Sequence, residues 1–142
     1  MPLHYQTYDL MTDSQGKELL YGIVSLMLPE SMLDCFDIVK VEEEDIPATD
    51  MTFRPFKRMV NLYLDERDNR TSEQQCYSPN GFTEYTKVSD FPLRNRLVTL
   101  HIRRRRYKDA EGKNAVLCEY PLKAEGTSIS PEFADFLKGA PR

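Results

Sequence analysis

Hydrophobic and polar residues alternate most cleanly over Leu97–Tyr107. Val98, Leu100 and Ile102 fall on one side, and Thr99, His101 and Arg103 on the other. That period of two is the pattern of a half-buried strand. The strand ends in four consecutive arginines, Arg103–Arg106. Such a run costs least when wet, so the sheet is expected to deliver it to its rim. Pro92 removes a ladder donor just upstream and marks a sharp entry.

The rest of the chain alternates between helical and strand periods. The first fifteen residues are mixed and polar, as in a poorly ordered arm. From Lys17 the spacing becomes helical, with Leu19, Leu20, Ile23, Leu26 and Met27 on one face and Asp13 or Ser14 as cap. Leu28-Pro29 ends this helix, and a short second one is expected over Glu30–Phe36 with Met32, Leu33 and Phe36 inward. Ile38–Val41 reads as a strand that runs into a solvated acidic loop, Glu42–Asp45. Asp45–Phe56, with two prolines, reads as loop, Met59–Leu64 as a strand, and Asp65–Gly81 as the least structured segment. Phe82–Val88 is a further strand; Lys108–Asn114 is a hairpin turn, with a return strand over Ala115–Leu122. A terminal helix is expected over Pro131–Lys138, capped by Ser130, ended by Gly139, with Phe133, Phe136 and Leu137 inward.

These elements predict an α+β fold: a small, mainly antiparallel sheet, a ribbon-like unit at about 82–122, and short helices near the N terminus and at the C terminus. At 142 residues the chain is expected to form one domain, an acidic part over 1–86 and a basic part with the C-terminal helix over 87–142. No apolar run approaches membrane-spanning length and the N terminus lacks a signal core, so a cytoplasmic protein is expected. The cysteines, Cys35, Cys76 and Cys118, are three and widely spaced; they make neither a disulfide framework nor a zinc pair.

Charge changes the picture. The net charge of −4 taken alone argues against nucleic acid, but it is unevenly distributed. Residues 1–86 carry 7 Lys/Arg against 16 Asp/Glu, and residues 87–123 carry 10 against 4. Only the middle of the chain has the footprint of a phosphate binder. Its candidate contacts are Arg94, Arg96, Arg103, Arg104, Arg105, Arg106, Lys108 and Lys113. Arg103 and Arg105 continue the outward row, whereas Arg104 and Arg106 continue the core row and are expected to snorkel or to pair with Glu42–Asp45. His101 shares the outward row and joins the candidates, although it has no ligand partners at metal spacing and suits a structural role better.

Catalysis finds little support. There is no Gly-rich phosphate loop, nucleophile elbow, HExxH or cysteine–histidine pair, and Asp65, Glu66 and Asp68 crowd one loop without distant partners. No cofactor or metal is expected.

The run GFTEYTKVSDFPLRNRLVTLHIRRRRY, followed by a turn, a strand and LKAEGTSISPEFADFLK, resembles the N-terminal region protein of ISAon-type, two-reading-frame bacterial insertion sequences. The earlier LMLPESMLDCFDIVKVEEED follows the same pattern more loosely. The resemblance implies a non-catalytic partner of a separately encoded DDE transposase. The DFP…VxLxIxRRRY core is also similar to the zinc-ribbon N-terminal region of larger transposases, where paired cysteines flank these motifs. Here Tyr77, Asn80 and Lys108-Asp109 stand in those places, with only Cys76 nearby, so a metal-free ribbon is implied. The expected function is binding of transposon-end DNA through the arginine-rich strand. The rival is a protein–protein module docking on the transposase without touching DNA, and RNA binding comes third.

Overall fold

A computed structural model describes residues 14–47 and 56–139. The expected N-terminal arm up to position 13, the Asp13 cap and most of the Asp45–Phe56 loop lie outside them. The elements in chain order are α1 (Ser14–Ser25), α2 (Met32–Cys35), β1 (Phe36–Asp45), β2 (Arg58–Glu66), β3 (Ser78–Phe82), β4 (Thr86–Leu93), β5 (Arg96–Arg103), β6 (Arg105–Lys108), β7 (Asn114–Ala115) and α3 (Pro131–Lys138). The fold is α+β. The chain divides into two compact units after Asp34.

In the first unit, α1 runs to Ser25 and a turn follows, with Leu26 N–H donating to Ile23 O and Met27 N–H to Val24 O. The Tyr21 hydroxyl donates to the Leu33 carbonyl at 2.7 Å, tying α1 to α2. Of the apolar face, Leu19, Ile23, Leu26 and Met27 are exposed. The buried apolar residues of this segment follow the helix, at Leu28, Met32 and Leu33.

The second unit holds two sheets. The larger has the order β1-β2-β5-β4, and the smaller β3-β6-β7. Every pairing is antiparallel except the central one, in which β2 and β5 run parallel with Arg58 beside Arg96 and Asp65 beside Arg103. The expected apolar stripe forms the core face. Val98, Leu100 and Ile102 are buried beside Val60 and Leu64 of β2 and Val88 of β4. The segment after β7 returns along this unit. Tyr120 packs edge-on against Phe36, and the Ser89 N–H and carbonyl bond Ser128 and Ser130 at 2.8 Å each.

Several boundaries differ from the sequence expectation, each for a physical reason. The strand expected over Leu97–Tyr107 breaks at Arg104, and its two parts belong to different sheets. Thus residues 82–122 divide between the sheets, and the return strand shrinks to Asn114–Ala115. The acidic run Glu42–Asp45 is strand, because β2 supplies its ladder partners, and Arg58, with Arg96 of β5, supplies the cations. Pro92 lies within β4, where the register shifts between Asp90 and Leu93; β4 is an edge strand, which tolerates a missing donor. In α3 the buried side chain is Ala134, while Phe136 and Leu137 are exposed. The Ser130 hydroxyl donates to Asp90 at 2.7 Å and draws the helix start close to β4, leaving room for a small residue; Phe133 and Phe136 reach Phe91 at the side.

Candidate nucleic-acid interface

The parallel register of β2 and β5 decides what becomes of the arginines. Because both strands point the same way, the acidic end of one, Asp65-Glu66, lies beside the basic end of the other, Arg103-Arg104. Arg103 grips Asp65 in bidentate fashion, with Nε and Nη2 each at 2.8 Å. The Phe82 and Tyr85 rings stand 4.2 and 4.9 Å from the Arg103 guanidinium carbon. This guanidinium holds the Asp65 carboxyl below its ordinary range, against the opposing effect of burial. Arg104 donates from Nε to the buried Glu66 carboxylate at 3.2 Å and from Nη2 to the Cys118 carbonyl, and it lies over Tyr120. Arg105 donates its backbone N–H to the Glu66 carboxylate and its Nε to the Glu66 carbonyl, both at 2.8 Å.

The opposite end of the parallel pair repeats the device. Arg58 and Arg96 are neighbours across the ladder, and Glu43 of β1 accepts from both, at 3.0 and 2.7 Å. Arg96, then Arg58, hold the Glu43 carboxyl below its ordinary range. The acidic run therefore pairs with Arg58 and Arg96. The Arg103–Arg105 stretch pairs with Asp65 and Glu66, not with Glu42–Asp45 as the row argument suggested for Arg104 and Arg106.

His101 is buried on the other face of the larger sheet, its ring stacked on Tyr63 at 4.3 Å and its Nε2 2.8 Å from Asn61 Oδ1. Burial, then the charge of Lys87, lowers its pKa below the ordinary histidine value. A neutral, stacked imidazole is a structural group, and β5 is buried on both faces at this point.

The nine candidates thus do not converge on one patch. Arg94 and Arg96 sit at one end of β5 and Arg103 at the other, roughly 23 Å away at the usual strand rise. Arg96, His101, Arg103, Arg104 and Arg105 are engaged within the fold. Arg94, in the left-handed region at φ 60° on the β4–β5 turn, is exposed, as are Lys108 and Lys113 on the β6–β7 hairpin. Arg106 is half-buried, and its Nε has no hydrogen-bond partner among the described residues. None of these four forms an ion pair with another described residue.

Sequence reasoning missed Asp65 and Glu66 as the partners of the arginine run, because nothing local reveals a parallel pairing. It also missed Asn80 and Asn114, whose side chains meet across the smaller sheet. Among the described residues no cluster of three or more His, Cys, Asp or Glu could hold a metal ion, and no helix is long and apolar enough to cross a membrane. No family model, curated protein or solved structure matches the chain.

Proposed function

We propose that this protein is the non-catalytic N-terminal component of a split insertion-sequence transposase, acting in the bacterial cytoplasm, and that it binds transposon-end DNA. The resemblance of residues 81–138 to the ISAon-type N-terminal region supports the transposition context. The observation that carries DNA contact is the set of cations without an ion-pair partner among the described residues, Arg94, Arg106, Lys108 and Lys113. Arg103, Arg104 and Arg105 act in this reading as a clasp that shapes the basic surface from within. Contact through such cations releases condensed counterions, so affinity falls steeply with salt. The test is affinity against salt for the wild-type chain, with a duplex carrying the element's terminal repeat and with a scrambled one. Binding to at least one duplex at low salt, with a linear fall of log affinity in log salt, is the expected result. Binding to neither would overturn the DNA reading.

A second reading has the chain dock on the catalytic DDE subunit without touching DNA. Its support is the internal neutralisation of the arginine run, together with exposed Val39 and Val41 on the edge strand β1. Co-elution with that subunit, in the absence of binding to either duplex, is the outcome that would favour it.

A further inference from the structure

The three-stranded sheet has two faces of unlike chemistry. Arg105 and Tyr107 share one of them. On that face Arg105 reaches the Glu66 carbonyl, and the Tyr107 hydroxyl donates to Asp68 at 3.1 Å. Strand alternation puts Arg106 and Lys108 on the other face. Lys108 is paired with Ser78 on one side and Asn114 on the other, so these three share a face. Asn80 lies where the β3 register shifts, opposite the middle of β6. Its Nδ2 donates to Asn114 Oδ1 at 2.5 Å, across the central strand. That bond fixes both amides on the Arg106–Lys108 face.

No carboxylate occupies a paired position on this face. The acidic residues nearest in sequence, Asp109 and Glu111, belong to the turn, where the Asp109 carboxylate accepts the Glu111 and Lys113 N–H groups at 2.9 Å. The face therefore offers the exposed ammonium of Lys108, the half-buried Arg106 and a coupled amide pair. Once Asn80 has donated to Asn114, the pair still presents a free acceptor, Asn80 Oδ1, and a free donor, Asn114 Nδ2. Adenine shows the complementary set in the major groove, an N6 donor beside an N7 acceptor. At this end the sheet is in effect the β6–β7 ribbon with β3 alongside, and the major groove, about 12 Å wide, admits a two-stranded ribbon.

We propose that this outer face enters the major groove of duplex DNA, with Lys108 and Lys113 on phosphates and the Asn80–Asn114 amide pair on an adenine edge. The inference rests on the DNA-binding reading above and adds to it the element that reads sequence. Phosphate contacts position a protein, whereas base-edge contacts discriminate, so the two groups of residues separate in experiment.

The experiment measures affinity against salt on the terminal-repeat and scrambled duplexes, with circular-dichroism melts confirming the fold of each variant. Lys108→Ala/Lys113→Ala should weaken both duplexes alike and lower the salt slope by about two, at ~0.9 for each phosphate no longer neutralised. Asn80→Ala and Asn114→Ala should leave the slope unchanged and cut the preference for the terminal repeat by about 5- to 150-fold. Asn114→Asp, which keeps the shape and the Asn80 bond, should lose the preference as well; a purely structural amide pair would not move it. A wild-type chain that binds both duplexes equally, or asparagine variants that keep their preference, would overturn the inference and leave DNA binding standing. Binding to neither duplex would remove the DNA reading and this assignment together.

Discussion

Arg104 sits where the chain leaves one sheet for the other, and its guanidinium spans the junction. It donates to the Glu66 carboxylate on the β2 side and to the Cys118 carbonyl on the returning segment. Glu66 is 3% exposed and Arg104 17% by side chain, so the carboxylate has almost no water to fall back on if the guanidinium is removed. Removing one partner of a buried pair leaves the other charge uncompensated. Arg104→Ala should therefore cost about 3 kcal/mol or more of unfolding free energy, measured by urea titration. Exposed Lys113→Ala should stay within about 0.5 kcal/mol. A similar cost for both would show that Arg104 does not hold the junction. Arg104 was legible in the sequence as a candidate residue, but its partners were not. Glu66 is 38 positions away in the chain, and only a parallel pairing brings it alongside.

Among the elements, β5 is the one whose pattern and structure agree most closely. Val98, Leu100 and Ile102 are buried at 4%, 0% and 1%. Leu100→Ala and Ile102→Ala should each lose about 2–4 kcal/mol in a denaturant melt, from lost transfer energy and the cavity left behind. Thr99→Ala, half-buried on the opposite face, should lose much less; equal losses would mean that both faces carry equal core. β2, the Lys108–Asn114 turn and α3 were legible for similar local reasons, namely alternation, turn formers and the Ser130-Pro131 start. Three features were not. Alternation continues unbroken through Arg104, so no local signal marks the change of sheet. The Glu42–Asp45 run looks like a solvated loop until Arg58 and Arg96 are placed beside it. The break between β3 and β4 falls inside Phe82–Val88, a stretch rich in strand formers throughout. In each case the deciding contact comes from a distant strand, which a local pattern does not encode.

Over the whole molecule, the acidic front and the basic middle of the sequence meet inside one unit, because β1 and β2 lie beside β5. Much of the charge asymmetry that suggested a phosphate binder is thus neutralised internally, and stability should carry the mark of that pairing against pH. Asp65 and Glu43 have carboxyls held low by Arg103 and by Arg96, respectively. A depressed acid contributes stability above its unfolded pKa, near 4, and that contribution is lost as pH falls through the folded value. His101 adds to the acid-side loss, since its lowered pKa favours the neutral ring and the unfolded chain takes up the proton first below about 6.5. Asp90 has the opposite sign. Burial raises its pKa against the Ser130 hydrogen bond, so its contribution is full below the ordinary carboxyl value and is lost as pH rises through the raised one. Two isosteric variants should then diverge. Asp65→Asn should lower stability at pH 7 by about 2 kcal/mol, the worth of hydrogen bonds to a charged group, and the gap to wild type should narrow progressively as pH falls below about 4. Asp90→Asn keeps an acceptor for Ser130, removes a buried charge, and should raise the melting temperature at pH 7 while giving no gain near pH 3. Thermal melts of the three proteins across this range check both signs at once. Parallel curves for Asp65→Asn and wild type would mean that the Arg103 pair adds nothing through ionisation, and the clasp would then owe its strength to packing on Phe82 and Tyr85.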